Sequence, residues 1–317
     1  MFMDQAPAPA LAAPPVRAVA HHPEARLGLA YALLAYGAWG LFPLYFRQVA
    51  HIEPLQVLAH RVFWSVPFLA LLILLTRRAA ELRAVVASGR TMLTLVASTA
   101  TIAVNWYVFI YAIATRQVLQ CSLGYFINPL VSVMLGMLFL KERLRPLQVA
   151  GVVLAAAGVA NLAISAGQLP WVALTLALTF GLYGLIRKTT AAGPMVGLMV
   201  ETSLLFPFSV WLIGRDLWPA GGSYGLSSYL WLSCAGVITA VPLLWFAGAA
   251  RRLRLSTIGF LQYITPSVHF LLAVAVFGEK FTGTHLVTFC FIWSALAMYS
   301  VDSWRALRQP LAAAPAA

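Results

Sequence analysis

Ten apolar stretches of about 20 residues follow one another along the chain, and they constrain its fold more than any other feature. A helix of that length rises 1.5 Å per residue and crosses a hydrocarbon layer of about 30 Å. Only helices and closed barrels satisfy every backbone polar group inside lipid. The sequence therefore predicts an all-α membrane protein with ten transmembrane helices, at 27–46, 55–76, 91–114, 118–140, 146–165, 169–186, 194–213, 229–250, 255–277 and 282–301.

Charged residues are too scarce to cover a water-facing surface. They make up 9% of the 317 residues, whereas hydrophobic residues make up 62%; a soluble domain carries roughly 25% charged residues. The net charge of +12 does not indicate nucleic-acid binding, because the basic residues lie between apolar stretches rather than on one face. The two ends, 1–25 and 304–317, are rich in Ala and Pro and are predicted to be disordered tails.

The positions of Lys and Arg predict the orientation in the membrane. Sixteen of the 21 lie in loops on one predicted side, four lie on the other, and Arg61 lies within a span. Cytoplasmic loops of membrane proteins carry the excess of Lys and Arg. We therefore expect a multi-pass protein of a cytoplasmic membrane with both chain ends in the cytoplasm.

The two halves of the chain, 26–165 and 166–303, resemble each other weakly but in the same order. Arg61 in the second span aligns with Glu201 in the seventh. The other matches are 36–42 with 180–186, Pro67 with Pro207, Gly124 with Gly259, and Pro129 with Pro266. Since each half has five spans, the second half enters the membrane in the opposite orientation. Inverted repeats of this kind are a common plan of secondary transporters.

Two full charges, Arg61 and Glu201, lie inside spans at equivalent positions of the two halves. A charge at mid-helix costs roughly 2.5–3.5 kcal/mol on insertion scales, so neither is expected to face lipid. We predict one charge toward each mouth of a central cavity, with Arg61 for an anionic group and Glu201 for a proton or a cationic group. A structural ion pair, or an Arg61 side chain that reaches the outer interface, is the alternative.

Two prolines, Pro129 and Pro266, lie in the middle of the fourth and ninth spans. A helical proline removes one hydrogen bond and displaces the carbonyl four residues earlier, so bends are predicted at mid-membrane. Polar and aromatic side chains near these bends and in the third span are predicted to contact the substrate: Tyr125, Asn128, Gln262, Tyr263, Asn105 and Trp106. The alternative is a bend that serves helix packing alone.

Several other features have a structural interpretation. Glu142 and Glu279 end the fourth and ninth spans and are expected to cap the amino terminus of a neighbouring span. Gly151 and Ala155 have the spacing of closely packed helices, either between the halves or in a homodimer. The sequence has no His-Glu-x-x-His run and no phosphate-binding loop, so we predict no metal, no cofactor, no ATP drive and no enzymatic activity.

Several segments closely resemble the RarD proteins of the EamA family, in the drug/metabolite transporter superfamily. The specific matches are 122–130 (SLGYFINPL) and 252–264 (RLRLSTIGFLQYI), 59–65 (AHRVFWS) also matches, and the resemblance covers 26–302. It implies ten helices in two EamA repeats, a central cavity and a location in the bacterial inner membrane.

Together these features favour secondary transport of a small metabolite or drug by alternating access, with export as the predicted direction. The expected partners are the small-molecule substrate and the lipid bilayer. A channel or a sensor without coupled transport is the alternative, although a channel does not need the inverted duplication.

Overall fold

The computed structural model describes residues 23–140, 145–167, 169–217, 224–250, 252–253 and 261–308. These residues form helices joined by short turns, with no strand among them. The helices are α1 (Pro23–Gln48), α2 (Pro54–Leu75), α3 (Ala79–Ala87), α4 (Gly89–Ala114), α5 (Val118–Leu140), α6 (Pro146–Ala166), α7 (Trp171–Thr189), α8 (Pro194–Leu217), α9 (Leu226–Ala250), α10 (Ile264–Leu271, continued by a π-helical turn at Leu272–Val276) and α11 (Gly283–Arg308).

The helices have the lengths and the surface of a membrane protein. Eight of them, α1, α2, α4, α5, α6, α8, α9 and α11, are long and apolar enough to cross a bilayer, while α7 and α10 are shorter apolar helices. The prediction of an all-α protein with ten membrane helices is thus confirmed. Large apolar side chains cover the outside of the bundle, including Leu93, Ile164 and Leu226. Such a surface is stable where it faces lipid and is a liability in water.

The main helix pairs fit a two-fold relation between the halves. The pairs are α1 with α9 and α10, α2 with α8 and α9, α4 with α7 and α8, α5 with α7 and α10, and α6 with α11. The set of pairs stays the same when each helix of the first half is swapped with its equivalent in the second half. The equivalent helices are α1 and α7, α2 and α8, α4 and α9, α5 and α10, and α6 and α11. The boundaries of the two repeats, 26–165 and 166–303, stay a prediction.

Small residues let helices of the two halves cross at short distance. A Cβ atom on Gly236 of α9 would overlap the Trp64 carbonyl of α2. Gly151 of α6 lies against the Ala295 carbonyl of α11, and the neighbouring Ala155 is buried. The small-residue face of α6 is therefore used within the chain, between the halves, as membrane helices without a hydrophobic driving force require. A homodimer stays a prediction.

The two prolines occupy different positions in their helices. Pro129 lies inside α5, whereas Pro266 is in the first turn of α10, where a missing N–H costs no helical hydrogen bond. The Gln262 carbonyl, which was expected to be free, accepts a bond from the Thr265 N–H at 3.3 Å. Leu261 is helical, and a two-residue turn at Gln262 and Tyr263 separates it from α10. Because residues 254–260 lie outside the described part of the chain, the bend at Pro266 stays a prediction.

Candidate functional site

Arg61 of α2 lies inside the bundle, with 4% of its surface exposed. Its Nε donates a hydrogen bond to Thr239 Oγ1 of α9 at 2.8 Å. Its guanidinium lies over the Trp106 ring at 4.1 Å, and the Phe46 and Phe42 rings are at 5.6 and 5.9 Å. We call Arg61, Thr239, Trp106, Phe42 and Phe46 the Arg61 cluster. The close α2–α9 crossing brings Thr239 within reach of Arg61.

The Arg61 cluster compensates the buried charge only in part. Burying one ion costs several kcal/mol even after relaxation of its surroundings. A charge-assisted hydrogen bond returns about 1.5–3 kcal/mol, and a desolvated cation–π contact returns about 2 kcal/mol. Neither contact supplies a negative charge, and among the described residues no carboxylate lies within ion-pair distance of Arg61. The cluster therefore holds a cation without a counter-ion.

Glu201 of α8 is even more deeply buried, with 1% of its surface exposed. Its carboxylate accepts hydrogen bonds from Ser98 Oγ of α4 at 2.6 Å and from the Tyr183 hydroxyl of α7 at 3.2 Å. Arg187 Nε of α7 lies 3.8 Å from Oε1 and forms an ion pair. We call Glu201, Ser98, Tyr183 and Arg187 the Glu201 cluster. Unlike the Arg61 cluster, it balances its own charge.

A glycine and two carbonyls position Arg187 beside Glu201. A Cβ atom on Gly197 of α8 would overlap the Arg187 guanidinium, so the glycine leaves room for that group in its present position. The Arg187 Nη2 donates to the carbonyls of Gly193 and Ala192 at 3.2 and 3.4 Å. The guanidinium thus joins α7 to the start of α8 and seals that end of the Glu201 cluster.

Helix α4 touches both clusters and sets the spacing between them. Ser98 belongs to the Glu201 cluster and Trp106 to the Arg61 cluster, and eight residues of α helix correspond to about 12 Å. No ion pair joins Arg61 to Glu201 in the described part of the chain, and Glu201 is instead paired with Arg187. Both charges are sealed from solvent in this conformation, and their assignment to the two mouths of a cavity stays a prediction.

Asn105, the neighbour of Trp106, connects α4 to α7 and approaches Tyr125. Its amide donates to the Leu176 carbonyl at 3.1 Å and to Thr179 Oγ1 at 3.0 Å. The Tyr125 hydroxyl lies 3.5 Å from Asn105 Oδ1. Asn105 and Tyr125 therefore lie next to each other, and the amide of Asn105 is also used in packing α7. Their contact with a substrate stays a prediction.

His269 of α10 lies inside the bundle, where it packs against aromatic rings and bonds to a neighbouring helix. Its ring lies 5.7 Å from that of Tyr125 and 5.5 Å from that of Phe109. Its Nε2 is 3.1 Å from the carbonyl oxygen of Trp39 in α1. Because a carbonyl only accepts, Nε2 must carry the proton. That carbonyl lies four residues before Pro43, which has no N–H to donate to it, so His269 supplies the bond that the helix lacks.

The other three predicted contact residues do not converge on one space. Asn128 is buried in α5 against Gly181, and its Oδ1 has no hydrogen-bond partner among the described residues. Gln262 is half-buried in the turn before α10. Tyr263 stacks on Phe126 in an open apolar groove of the bundle surface, away from Tyr125.

Sequence patterns contain little signal that identifies Ser98, Thr239 and Arg187 as the partners of the buried charges. Hydroxyl residues are common in membrane helices, where most of them bond to their own backbone. Arg187 follows an apolar stretch, where a basic residue indicates only the cytoplasmic side of the membrane. Only a knowledge of which helices pack together distinguishes these three residues from their neighbours.

Glu279, between α10 and α11, caps the amino terminus of α5. Its two carboxylate oxygens accept hydrogen bonds from the N–H groups of Val118 and Leu119 at 2.6 and 2.8 Å. The expected capping role is thus confirmed for Glu279, whereas Glu142 lies outside the described residues. Burial raises the pKa of Glu279 above its usual value, and the two backbone hydrogen bonds oppose that shift.

A bundle of ten apolar helices with charged groups buried in its interior defines a polytopic membrane protein. The chain belongs to the EamA-like transporter family, whose sequence signature matches residues 26–164. An uncharacterized transporter of Pseudomonas aeruginosa is 45% identical over 90% of this chain and 96% of the relative. Protein RarD of Escherichia coli K12 is 42% identical over 88% of this chain and 96% of the relative.

More distant relatives agree with this assignment. A protein of Pseudomonas aeruginosa called chloramphenicol-sensitive protein RarD is 32% identical over 87% of this chain and 95% of the relative. A solved crystal structure that is 18% identical superposes with a TM-score of 0.58, over 90% of this chain and 98% of that one. The structural likeness bears on the fold alone, whereas the identities place the chain among RarD homologues.

Proposed function

We propose that the protein is a secondary transporter that exports a small metabolite or drug across the bacterial inner membrane. The observation that carries this proposal is the pair of buried charge clusters at positions related by exchange of the two halves. A charge costs too much inside a membrane protein to be kept without use, and transporters built from inverted repeats place such groups between the repeats.

The contacts of the two clusters suggest how alternating access operates. Arg61 bonds across the halves to Thr239, and Glu201 bonds across the halves to Ser98. Rocking one repeat, 26–165, against the other, 166–303, separates the helices of one cluster while those of the other stay closed. Separation of the Glu201 cluster frees a carboxylate for a proton or a cationic group. Separation of the Arg61 cluster frees a guanidinium for an anionic group.

A counterflow assay in proteoliposomes tests this proposal. Vesicles are loaded with one unlabelled solute from a panel of amino acids and amphenicols, and uptake of the labelled solute is followed. A transporter exchanges one solute molecule for another, whereas a channel lets the gradient dissipate without exchange. Arg61→Gln and Glu201→Gln should each abolish exchange, and Arg215→Gln, on the exposed face of α8, should leave it intact.

Two results would count against the proposal. If no solute of the panel exchanges while the protein is folded and correctly inserted, the transport function is not supported. If exchange and its pH dependence survive both Arg61→Gln and Glu201→Gln, the protein transports but the two clusters are not its site.

A further inference from the structure

Among the described residues, the interior carries one positive charge, on Arg61, with no acid within ion-pair distance of it. The Arg61 guanidinium uses its Nε for Thr239 and one face for Trp106. Its two terminal nitrogens have no acceptor among the described residues. Glu201, the other charge inside the spans, is already held by Arg187, Ser98 and Tyr183. A buried charge of this kind needs an opposite charge from outside the chain.

The shape of the unfilled side of Arg61 limits what that opposite charge can be. The planar fork of a guanidinium matches the two oxygens of a carboxylate, with two parallel hydrogen bonds. The rings of Trp106, Phe46 and Phe42 lie beside it and offer mostly apolar surface. A phosphate or sulfate dianion has no apolar part to cover these rings, whereas an apolar body attached to a single carboxylate would pack on them.

We propose that the solute handled by this protein is an organic monocarboxylate with an apolar body, bound through its carboxylate to the terminal nitrogens of Arg61. The inference rests on the proposed transport function and assigns its substrate class. Since Arg61 is sealed in this conformation, the anion enters when α2 separates from its neighbours and neutralises the guanidinium as the bundle closes. The self-balanced Glu201 cluster has no equivalent need for a cationic solute.

Thermal unfolding of the purified protein in lipid nanodiscs tests the inference without any transport measurement. Three probes share one body and differ in their polar group: 3-phenylpropionate, 3-phenylpropylamine and 3-phenylpropanol. Sodium chloride and inorganic phosphate serve as anions that have no apolar body. A ligand that binds only the folded state raises the unfolding temperature as its concentration rises. We expect a shift with phenylpropionate and none with the amine, the alcohol or the inorganic anions.

Variants then locate the binding group. Arg61→Gln should lose the phenylpropionate shift, and Arg61→Lys should reduce it, because an ammonium keeps the charge but lacks the planar fork. Arg215→Gln should keep the full shift. The comparison among probes uses the wild-type protein, so it stands even if an Arg61 variant fails to fold.

The outcomes separate this inference from the proposed function. A shift with the amine or the alcohol, an equal shift with chloride or phosphate, or no shift with phenylpropionate at millimolar concentration would overturn the carboxylate assignment. An Arg61-dependent shift without any counterflow would support the site and count against transport. Counterflow of neutral or cationic solutes alone, unaffected in Arg61→Gln, would support transport and refute this inference.

Discussion

The ion pair between Arg187 and Glu201 gives a stability prediction that does not depend on the substrate. Arg187→Gln removes the cation and leaves the carboxylate of Glu201 buried with only two hydroxyl donors. Glu201→Gln removes the anion instead. The Arg187 guanidinium then keeps its two carbonyl acceptors at the start of α8 and its 14% exposure. The two single variants should therefore lower the free energy of unfolding by different amounts.

The magnitudes follow from the geometry of the pair. At 3.8 Å and an effective dielectric constant of 20, the attraction is about 4 kcal/mol before desolvation. Because Arg187 is partly exposed, we expect Arg187→Gln to destabilise the fold by about 2–3 kcal/mol, below the upper range for buried pairs. Glu201→Gln still offers an acceptor to Ser98 and should cost about 1 kcal/mol. The double variant should resemble Glu201→Gln alone, so the coupling energy should equal the cost of Arg187→Gln, about 2–3 kcal/mol.

The measurement is unfolding by sodium dodecyl sulfate in mixed micelles, followed by circular dichroism, for the wild type and the three variants. Arg215→Gln, at an exposed position of the same helix as Glu201, should change stability by no more than about 0.5 kcal/mol. The reasoning about this pair is refuted if the sum of the two single losses of stability equals the loss in the double variant to within about 0.5 kcal/mol. It is also refuted if Glu201→Gln costs more stability than Arg187→Gln.

Two further predictions concern the cap of α5 and the orientation of the chain. Because burial raises the pKa of Glu279, its contribution to stability is present at acidic pH and is lost as the pH rises through the folded-state pKa. The unfolding temperature of the wild type relative to Glu279→Gln should therefore rise as the pH is lowered from neutral; a difference independent of pH would contradict the burial argument. Alkaline phosphatase fused after Arg116 should be active in the periplasm, and the same enzyme fused after Arg78 should be inactive; the reverse pattern would invert the proposed topology.

The number and type of the membrane helices could be predicted from hydropathy because lipid leaves a chain few alternatives. The burial of Arg61 and Glu201 could be predicted for the same reason, since each charge stands inside an apolar stretch. The cap formed by Glu279 could be anticipated from its place at the end of a span. In each case a local pattern and one strong physical rule were sufficient.

The partners of the buried charges could not be predicted in this way. Ser98 and Thr239 look like any other hydroxyl residue of an apolar helix until α4 is known to pack near α8, and α9 on α2. The aromatic, polar side chain of Tyr263 suits a binding site, but it lies in the surface groove. The face of α10 that meets α1 carries Thr265 and His269 instead. Which face of a helix is internal depends on neighbours far away in the sequence.

The bond between His269 and the Trp39 carbonyl has a consequence for comparing related sequences. A chain with an ordinary residue at position 43 would regain the helical N–H that Pro43 lacks, and the Trp39 carbonyl would no longer require a donor from α10. Histidine at 269 would then be a buried polar group with one partner fewer. Pro43 and His269, more than 200 residues apart, are therefore expected to be gained and lost together as one evolutionary unit.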